Sequence, residues 1–235
     1  MLSEEELIFT WKDEIMSCET FLLGKTVNGL AIPAYRFGGK GTKALIIGGT
    51  HGDEPEGVAA AHGLLKEFLQ YFPFRLDLTI VPTLNLDGVI KGDRLNANGV
   101  DLNRNLPTKD WVGVAPKPRY FPGPHPESEP ENKAICHFLR GNDIKFILSL
   151  HAWEPMVNTN GDCKGEAEII SRITGYRISD DIGYPTPGSF GTYACHELGI
   201  PTLTYEIQQE MPLDKVVDIH VPAMIEALKY TEAHR

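Results

Sequence analysis

Residues 43–57, KALIIGGTHGDEPEG, combine a short apolar segment, two glycines and a polar turn that ends at a proline. The apolar residues 44–47 are few and lead straight into a turn, which is typical of a buried strand. Gly48 and Gly49 permit a sharp exit from that strand, and Pro55 suits the first turn of a helix. The stretch therefore predicts a strand, a tight turn and a helix in direct succession.

Similar alternation of strands and helices continues along the chain. Short apolar segments that end in polar residues or a turn predict further strands at 76–85 (LDLTIVPTLN), 145–151 (KFILSLH) and 202–207 (TLTYEI). Apolar residues at three- and four-residue spacing predict helices over 55–70, 128–140, 165–174, 188–198 and 213–231. Because helices between strands act as crossovers, we predict an α/β fold with a mixed, mostly parallel twisted sheet and helices on both faces. A single catalytic domain is expected over residues 1–235.

Two segments depart from this alternation. Residues 22–38, LLGKTVNGLAIPAYRFG, carry Asn28-Gly29 between two extended runs, which predicts an antiparallel hairpin on one edge of the sheet. Residues 105–127 contain six prolines and no periodicity, so they predict a long loop. A loop of this kind inside a folded domain is more typical of the wall of a binding site than of disorder.

The composition restricts the class of partner. The chain has 235 residues, 42% hydrophobic and 23% charged, as is usual for a globular protein. Its 22 Lys and Arg are outnumbered by 32 Asp and Glu, giving a formal net charge of -10. Nucleic acids and anionic membranes require a basic surface, so neither partner is expected and a small substrate is favoured.

The sequence also predicts a compartment. No segment approaches the roughly 18 apolar residues of a membrane helix. Residues 1–14 lack the basic start and the apolar stretch of a signal peptide, so we predict a cytoplasmic protein. Free thiols are expected there for four cysteines that are far apart and have no CxxC spacing: Cys18, Cys136, Cys163 and Cys195.

Residues with chemically useful side chains collect at the predicted strand ends. His51 follows the first of these strands, Asn85 and Asp87 follow the second, His151 ends the third, and Glu206 lies in the fourth. Ligands of mostly parallel sheets bind beyond the carboxyl ends of the strands. We therefore expect these side chains to converge on one edge.

His51, Glu54 and His151 fit the ligand pattern of a catalytic zinc ion, which takes three His or Glu ligands and leaves a position for water. His51 and Glu54 are close in sequence, whereas His151 comes from another strand end. The alternative for His51 and Glu54 is that they only cap the N-terminus of the following helix, where an acidic side chain is electrostatically favourable. For His151 the alternative is a strand-end histidine with satisfied ring nitrogens.

Four motifs together resemble the zinc carboxypeptidase family, whose signature is HxxE, an Asn-Arg pair, a lone His and a late catalytic Glu. They are THGDEPEG, NLDGVIKGDRLNANGVDLNRNLP, SLHAW and YPTPGSFGTYACHELGIPTLTYEI, in the family's order, within residues 22–210. GVDLNRN and PTPGSFG are most similar to the branch that cleaves murein peptides. The resemblance implies hydrolysis of the γ-D-glutamyl–meso-diaminopimelate bond of murein tripeptide during cell-wall recycling.

The same resemblance implies a role for several residues. One zinc ion per chain would be held by His51, Glu54 and His151, with Glu206 as the general base for the attacking water. A carboxylate beside a zinc-activated water is chemically suited to that proton transfer. Apart from the resemblance, Asp53 and Asp101 are both interpreted as surface, capping or core residues, and support of a metal ligand is a second interpretation for Asp53.

Four further residues are implied to contact the substrate. Arg94 would polarise the scissile carbonyl, and Asn103 with Arg104 would bind a substrate carboxylate through the planar fork of the guanidinium. Tyr184 would cover the site from a loop. The alternatives are a surface arginine for Arg94, a structural salt bridge for Arg104 and a packing aromatic for Tyr184.

Three functions remain open at this point. The leading one is a zinc peptidase that cuts an amide bond near a free carboxylate of a small peptide. A deacylase of N-acyl amino acids, such as succinylglutamate desuccinylase or aspartoacylase, shares HxxE and the late Glu, although GVDLNRN and PTPGSFG favour the peptidase. A non-catalytic metal- or peptide-binding protein would not need Glu206.

Overall fold

Eight strands form one mixed sheet in a computed structural model that describes residues 18–235. The spatial order is β1-β2-β4-β3-β5-β8-β6-β7. The strands are β1 (Cys18–Lys25), β2 (Ala31–Phe37), β3 (Lys43–Ile47), β4 (Asp77–Val81), β5 (Phe146–Trp153), β6 (Met156–Asn160), β7 (Arg177–Ser179) and β8 (Thr202–Gln208). The central strands β4, β3, β5 and β8 run parallel, and antiparallel pairs join β1 to β2, β2 to β4 and β6 to β8. The predicted α/β fold is confirmed.

The five longest helices that the structure describes are α1 (Pro55–Gln70), α2 (Leu86–Lys91), α3 (Pro130–Gly141), α4 (Lys164–Thr174) and α5 (Leu213–His234). Four of them lie close to their predicted positions, and α2 was not predicted. The predicted helix over 188–198 is a short helix, Phe190–Thr192, that continues as a π-helix over Tyr193–Glu197. Among the described helices, none combines the length and the apolar character that a membrane span requires.

β3 shows why the sheet needs helices on both faces. Ala44 and Ile46 pack in a core with α1, α4 and α5, whereas Leu45 and Ile47 pack in a second core with α3 and the short helix. All four side chains are fully buried. A strand buried on both faces is a continuous apolar run without alternation, as residues 44–47 are.

Sequence patterns located the predicted hairpin but missed three other elements. β1 and β2 pair antiparallel at the sheet edge, and the turn between them includes Gly29 at φ +80°. β6 was not predicted because its last three residues, NTN, are polar, and β7 was missed because it has only 3 residues and is partly exposed. α2 was missed because it has only 6 residues, too few to establish a period.

A buried histidine in the core makes stability dependent on pH. His220 is fully buried on α5, with Nδ1 2.5 Å from the Tyr205 hydroxyl and Nε2 3.4 Å from the Tyr176 hydroxyl. Burial lowers the pKa of His220 to about 4. Because an unfolded histidine has a pKa of about 6.5, the unfolded chain binds the proton more readily between these values. We expect the free energy of unfolding to fall as pH is lowered from about 6.5 towards 4.

The measurement is the thermal midpoint across this pH range for wild type and His220→Asn, which keeps a polar group near Tyr205 but does not titrate. The variant should show a flatter pH dependence. His137→Asn, at an exposed position on α3, should follow wild type. Parallel loss of stability in wild type and His220→Asn would assign the acid sensitivity to other groups.

Candidate metal centre and active site

The turn between β3 and α1 depends on its glycines. Gly49 has φ +60°, and a Cβ on Gly48 would lie 2.9 Å from the backbone oxygens of Gly57 and Pro82. Neither position accommodates a larger residue without a shift in the backbone. The tight turn brings His51 and Glu54 to the carboxyl end of the sheet.

Glu54 is the N-cap residue of α1, but its side chain makes no capping hydrogen bond. Its Oε1 lies 2.6 Å from Nδ1 of His51, and its Oε2 lies 2.9 Å from Nδ1 of His151. The Ala152 amide also donates to Oε2 at 3.2 Å. The carboxylate therefore faces the two histidines rather than the amides of the first helical turn.

These three side chains form a group that fits a metal ion. One ligand atom from each of His51, Glu54 and His151 lies within 4.8 Å of the others, and all three residues are buried. Burial would raise the pKa of Glu54, but His51 and His151 hold it well below its ordinary value, so the carboxylate is ionised. Two imidazoles and one carboxylate are the donor set of many catalytic zinc sites.

Asp101, rather than Asp53, supports a ligand of this group. Its Oδ1 lies 3.0 Å from Nε2 of His51 and also accepts the Asn103 amide at 2.9 Å. Burial would raise the pKa of Asp101, but His51 and Arg94 hold it below its ordinary value. A carboxylate on the second ring nitrogen orients a metal-binding histidine. Asp53 instead lies 3.6 Å from Arg119.

Arg94 is held beside the metal group. Its Nε donates to Asp101 Oδ2 at 3.0 Å, and its Nη1 donates to Glu54 Oε1 at 3.3 Å. Burial would lower the pKa of Arg94, but Asp101 and Glu54 raise it. The guanidinium is thus charged and fixed, and it is not the surface arginine of the alternative interpretation.

Glu206 is brought beside the histidine by strand register. β5 and β8 pair in parallel with His151 opposite Glu206. The Glu206 side chain is buried and makes no hydrogen bond to residues 18–235. Burial raises its pKa to about 7, with a further contribution from Glu54, while His151, Arg94 and Arg104 oppose the shift. A carboxylate with a pKa near neutrality is well suited to accept and return a proton.

Asn103 and Arg104 lie in a short 3-10 turn, Leu102–Arg104. The Phe190 amide donates to Asn103 Oδ1 at 2.7 Å, which leaves the Asn103 amino group available as a donor. Arg104 is 5% exposed and donates from Nη1 to the Asn103 carbonyl at 2.6 Å. It has no salt bridge within the described chain, so the structural ion pair considered for it is absent. Its remaining N–H groups are available to a ligand.

The predicted site residues line one cavity of about 380 Å³. Its lining includes all of them: His51, Glu54, Arg94, Asn103, Arg104, His151, Tyr184 and Glu206. Tyr184 reaches this cavity from a loop, and its ring packs edge-on against Trp153 at 5.4 Å. Asn85 and Asp87, which were expected at the same edge, are not among the lining residues: Asn85 caps α2 by accepting the Gly88 amide, and Asp87 accepts the Asn28 amide.

Several cavity residues were not singled out from the sequence. Arg119 and Tyr120 come from the proline-rich loop, which contains a 3-10 turn over Pro118–Tyr120, and Trp153 lies at the end of β5. The predicted loop thus forms part of the wall of this cavity. The basic-aromatic pair in KPRYF was the available signal for the individual residues.

Comparisons with known proteins agree with this geometry. Residues 10–169 match the family model described as zinc carboxypeptidase. This chain belongs to the zinc carboxypeptidase family. It is therefore a zinc metallopeptidase, and the buried His51, Glu54 and His151 group offers a place for its zinc ion.

Two zinc carboxypeptidase relatives are similar over most of their length. Murein peptide amidase A of Vibrio campbellii is 30% identical over 205 residues, covering 80% of this chain and 78% of that protein. Murein peptide amidase A of Escherichia coli K12 is 30% identical over 198 residues, covering 79% of each chain.

Solved structures of the family have the same fold. The murein-tripeptide amidase of Escherichia coli O157 superposes with a TM-score of 0.74 at 27% identity, covering 89% of this chain and 91% of that chain. Bovine thrombin-activatable fibrinolysis inhibitor, in complex with tick carboxypeptidase inhibitor, gives a TM-score of 0.76 at 21% identity, covering 96% and 97%. The second similarity concerns the fold alone.

Proposed function

We propose that this zinc carboxypeptidase hydrolyses the γ-D-glutamyl–meso-diaminopimelate bond of murein tripeptide. One observation carries the proposal: the metal group, the buried Glu206 carboxylate and the Arg104 guanidinium, which has no ion pair within residues 18–235, all line one cavity. The similarity to two murein peptide amidases supports this substrate. A role in cell-wall recycling and a cytoplasmic location remain predictions.

The chemistry would divide among the residues of the cavity. Zinc held by His51, Glu54 and His151 would supply a Lewis acid and lower the pKa of water. Glu206 accepts the proton of the attacking water and returns it to the leaving amine as the amide bond breaks. Arg94 stabilises the negative charge that develops on the scissile carbonyl oxygen, because its guanidinium is already fixed by two carboxylates.

Asn103 and Arg104 would bind the free carboxylate of the leaving residue. The Asn103 amino group and the unused N–H groups of Arg104 provide neighbouring donors. The backbone of the PTPGSFG loop approaches Arg104 closely, since a Cβ on Gly188 would lie 2.2 Å from the Arg104 carbonyl oxygen. This packing fixes the backbone of Arg104 against the loop, and the hydrogen bond from Nη1 to the Asn103 carbonyl orients its guanidinium.

The principal competitor is hydrolysis of N-acyl amino acids. Purified enzyme should release diaminopimelate from murein tripeptide, with products identified by mass spectrometry, and should leave N-succinylglutamate and N-acetylaspartate largely intact. Faster turnover of either N-acyl amino acid would replace the proposed function with that of a deacylase. No turnover of any of the three, by protein that contains zinc, would favour a binding protein.

The carboxylate-binding role of Arg104 gives a sharper test. Arg104→Ala should weaken binding of the transition state by about 2 to 5 kcal/mol, the range for truncating one partner of a buried charged pair. This corresponds to roughly 30- to several-thousand-fold in kcat/KM. Amidation of the diaminopimelate α-carboxylate should lower kcat/KM of wild type by a similar factor. It should change kcat/KM of Arg104→Ala little, because the two changes remove the same contact.

The measurement is a four-corner cycle of kcat/KM with two enzymes and two substrates. The cycle also separates recognition from misfolding, since a damaged fold lowers turnover of both substrates alike. Losses that simply add would show that Arg104 does not contact this carboxylate.

A further inference from the structure

Three arginines line the cavity, and two have already been given a contact. Arg94 is bound by Asp101 and Glu54, and Arg104 is the proposed partner of the terminal carboxylate. Arg119 is the third. Neither the metal group nor the peptide bond requires this additional cation, so its position calls for a ligand of its own.

Arg119 is held in place by contacts that form no hydrogen bond with its guanidinium. Its guanidinium carbon lies 5.5 Å from the centre of the Tyr120 ring, and its Nη2 lies 3.6 Å from Asp53 Oδ2. At that separation the pair attracts but forms no hydrogen bond. The Arg119 side chain is 55% exposed, so its N–H groups are accessible from the cavity. Asp53 Oδ1 is buried and has no hydrogen-bond partner within residues 18–235, so Asp53 itself is not saturated.

Tyr120 ties this cation to the rest of the site. The guanidinium carbon of Arg104 also lies 5.5 Å from the Tyr120 ring, and that of Arg94 lies 5.4 Å from it. The three positive charges are therefore grouped around one aromatic side chain. Arg94 is already bound by Asp101 and Glu54, whereas Arg104 and the exposed Arg119 still have N–H groups that can donate to a ligand. A substrate with two carboxylates would engage both of these guanidinium groups.

We propose that Arg119 is a specificity-determining residue that binds a second carboxylate of the substrate. The proposal rests on the proposed function and deepens it. Murein tripeptide offers two such groups near the scissile bond: the α-carboxylate of the γ-linked glutamate and the distal carboxylate of diaminopimelate. A neutral α-linked peptide has neither, so Arg119 would favour γ-glutamyl or diaminopimelyl substrates over ordinary peptides.

The test combines Arg119→Gln with three substrates. They are murein tripeptide, the same peptide with the glutamate α-carboxylate amidated, and the same peptide with lysine in place of diaminopimelate. Arg119→Gln should lower kcat/KM on murein tripeptide by about 10- to 100-fold, as expected for a hydrogen bond between charged groups. Arg119→Lys should retain part of the activity, because it keeps the charge but loses the planar fork.

On one of the two altered substrates, wild type and Arg119→Gln should have the same kcat/KM. The carboxylate that this substrate lacks is the one that Arg119 binds. Equal turnover by both enzymes on that substrate also shows that the variant has an intact site. Arg172→Gln, at an exposed position on α4, should match wild type on all three substrates.

Two failures can be told apart. Suppose that wild type cleaves murein tripeptide, but that Arg119→Gln lowers kcat/KM by the same factor on all three substrates. The proposed role of Arg119 is then wrong, while the proposed function stands. If wild type does not cleave murein tripeptide, the proposed function is wrong, and the inference about Arg119 is overturned with it.

Discussion

His51→Ala and His151→Ala are each expected to remove bound zinc and peptide hydrolysis together. A catalytic zinc ion is held by three protein ligands, and loss of one leaves only two for the metal. In either variant Glu54 also loses one of the two imidazoles that keep its carboxylate ionised in a buried position. We therefore expect zinc content to fall far below one ion per chain and turnover to fall to background.

Metal analysis after dialysis, paired with turnover of murein tripeptide, measures both effects. His137→Ala, at an exposed position on α3, is the matched control and should retain zinc and activity. Circular dichroism of each variant separates loss of the ligand from loss of the fold. Stoichiometric zinc in a folded His51→Ala or His151→Ala protein would contradict the proposed ligand set.

Glu206→Gln should retain zinc, unlike the histidine variants, but should also lose most of its turnover. Glutamine preserves the shape of the side chain but cannot accept the proton of the attacking water. We expect kcat to fall by roughly 10²- to 10⁴-fold, the usual contribution of general acid-base catalysis. Zinc should remain bound, because Glu206 is not among the three clustered ligands.

The decisive comparison is zinc content against kcat in the same preparation. Glu168→Gln, an exposed position on α4, should leave both quantities unchanged. KM for murein tripeptide should change little in Glu206→Gln, since the proposed carboxylate contacts are made by other residues. A Glu206→Gln enzyme with near-normal kcat would return Glu206 to a structural role.

The local features of this protein follow from the sequence itself. The run over residues 44–47 is apolar throughout because β3 is buried on both faces, and the two glycines after it permit the sharp turn. Periodicity located the long helices because each buries one face along several turns. The spacing of His51 and Glu54 predicted two ligands at one point because a single tight turn carries both.

Contacts between distant segments depended on the tertiary structure. The sequence does not fix the register that sets His151 opposite Glu206. Support of a metal ligand was considered for Asp53, which is close to His51 along the chain, and not for Asp101, yet Asp101 occupies that place from 50 residues away.

Arg119 illustrates the same limit in the proline-rich loop. This loop has no period from which the direction of a side chain can be deduced, and only the folded chain brings Arg119 to Asp53 and the cavity. A tight turn or a helix specifies its geometry through neighbouring residues, whereas a contact across the fold depends on how whole elements pack. The sequence alone therefore determined the chemistry available at the carboxyl end of the sheet, and packing decided which of those side chains meet.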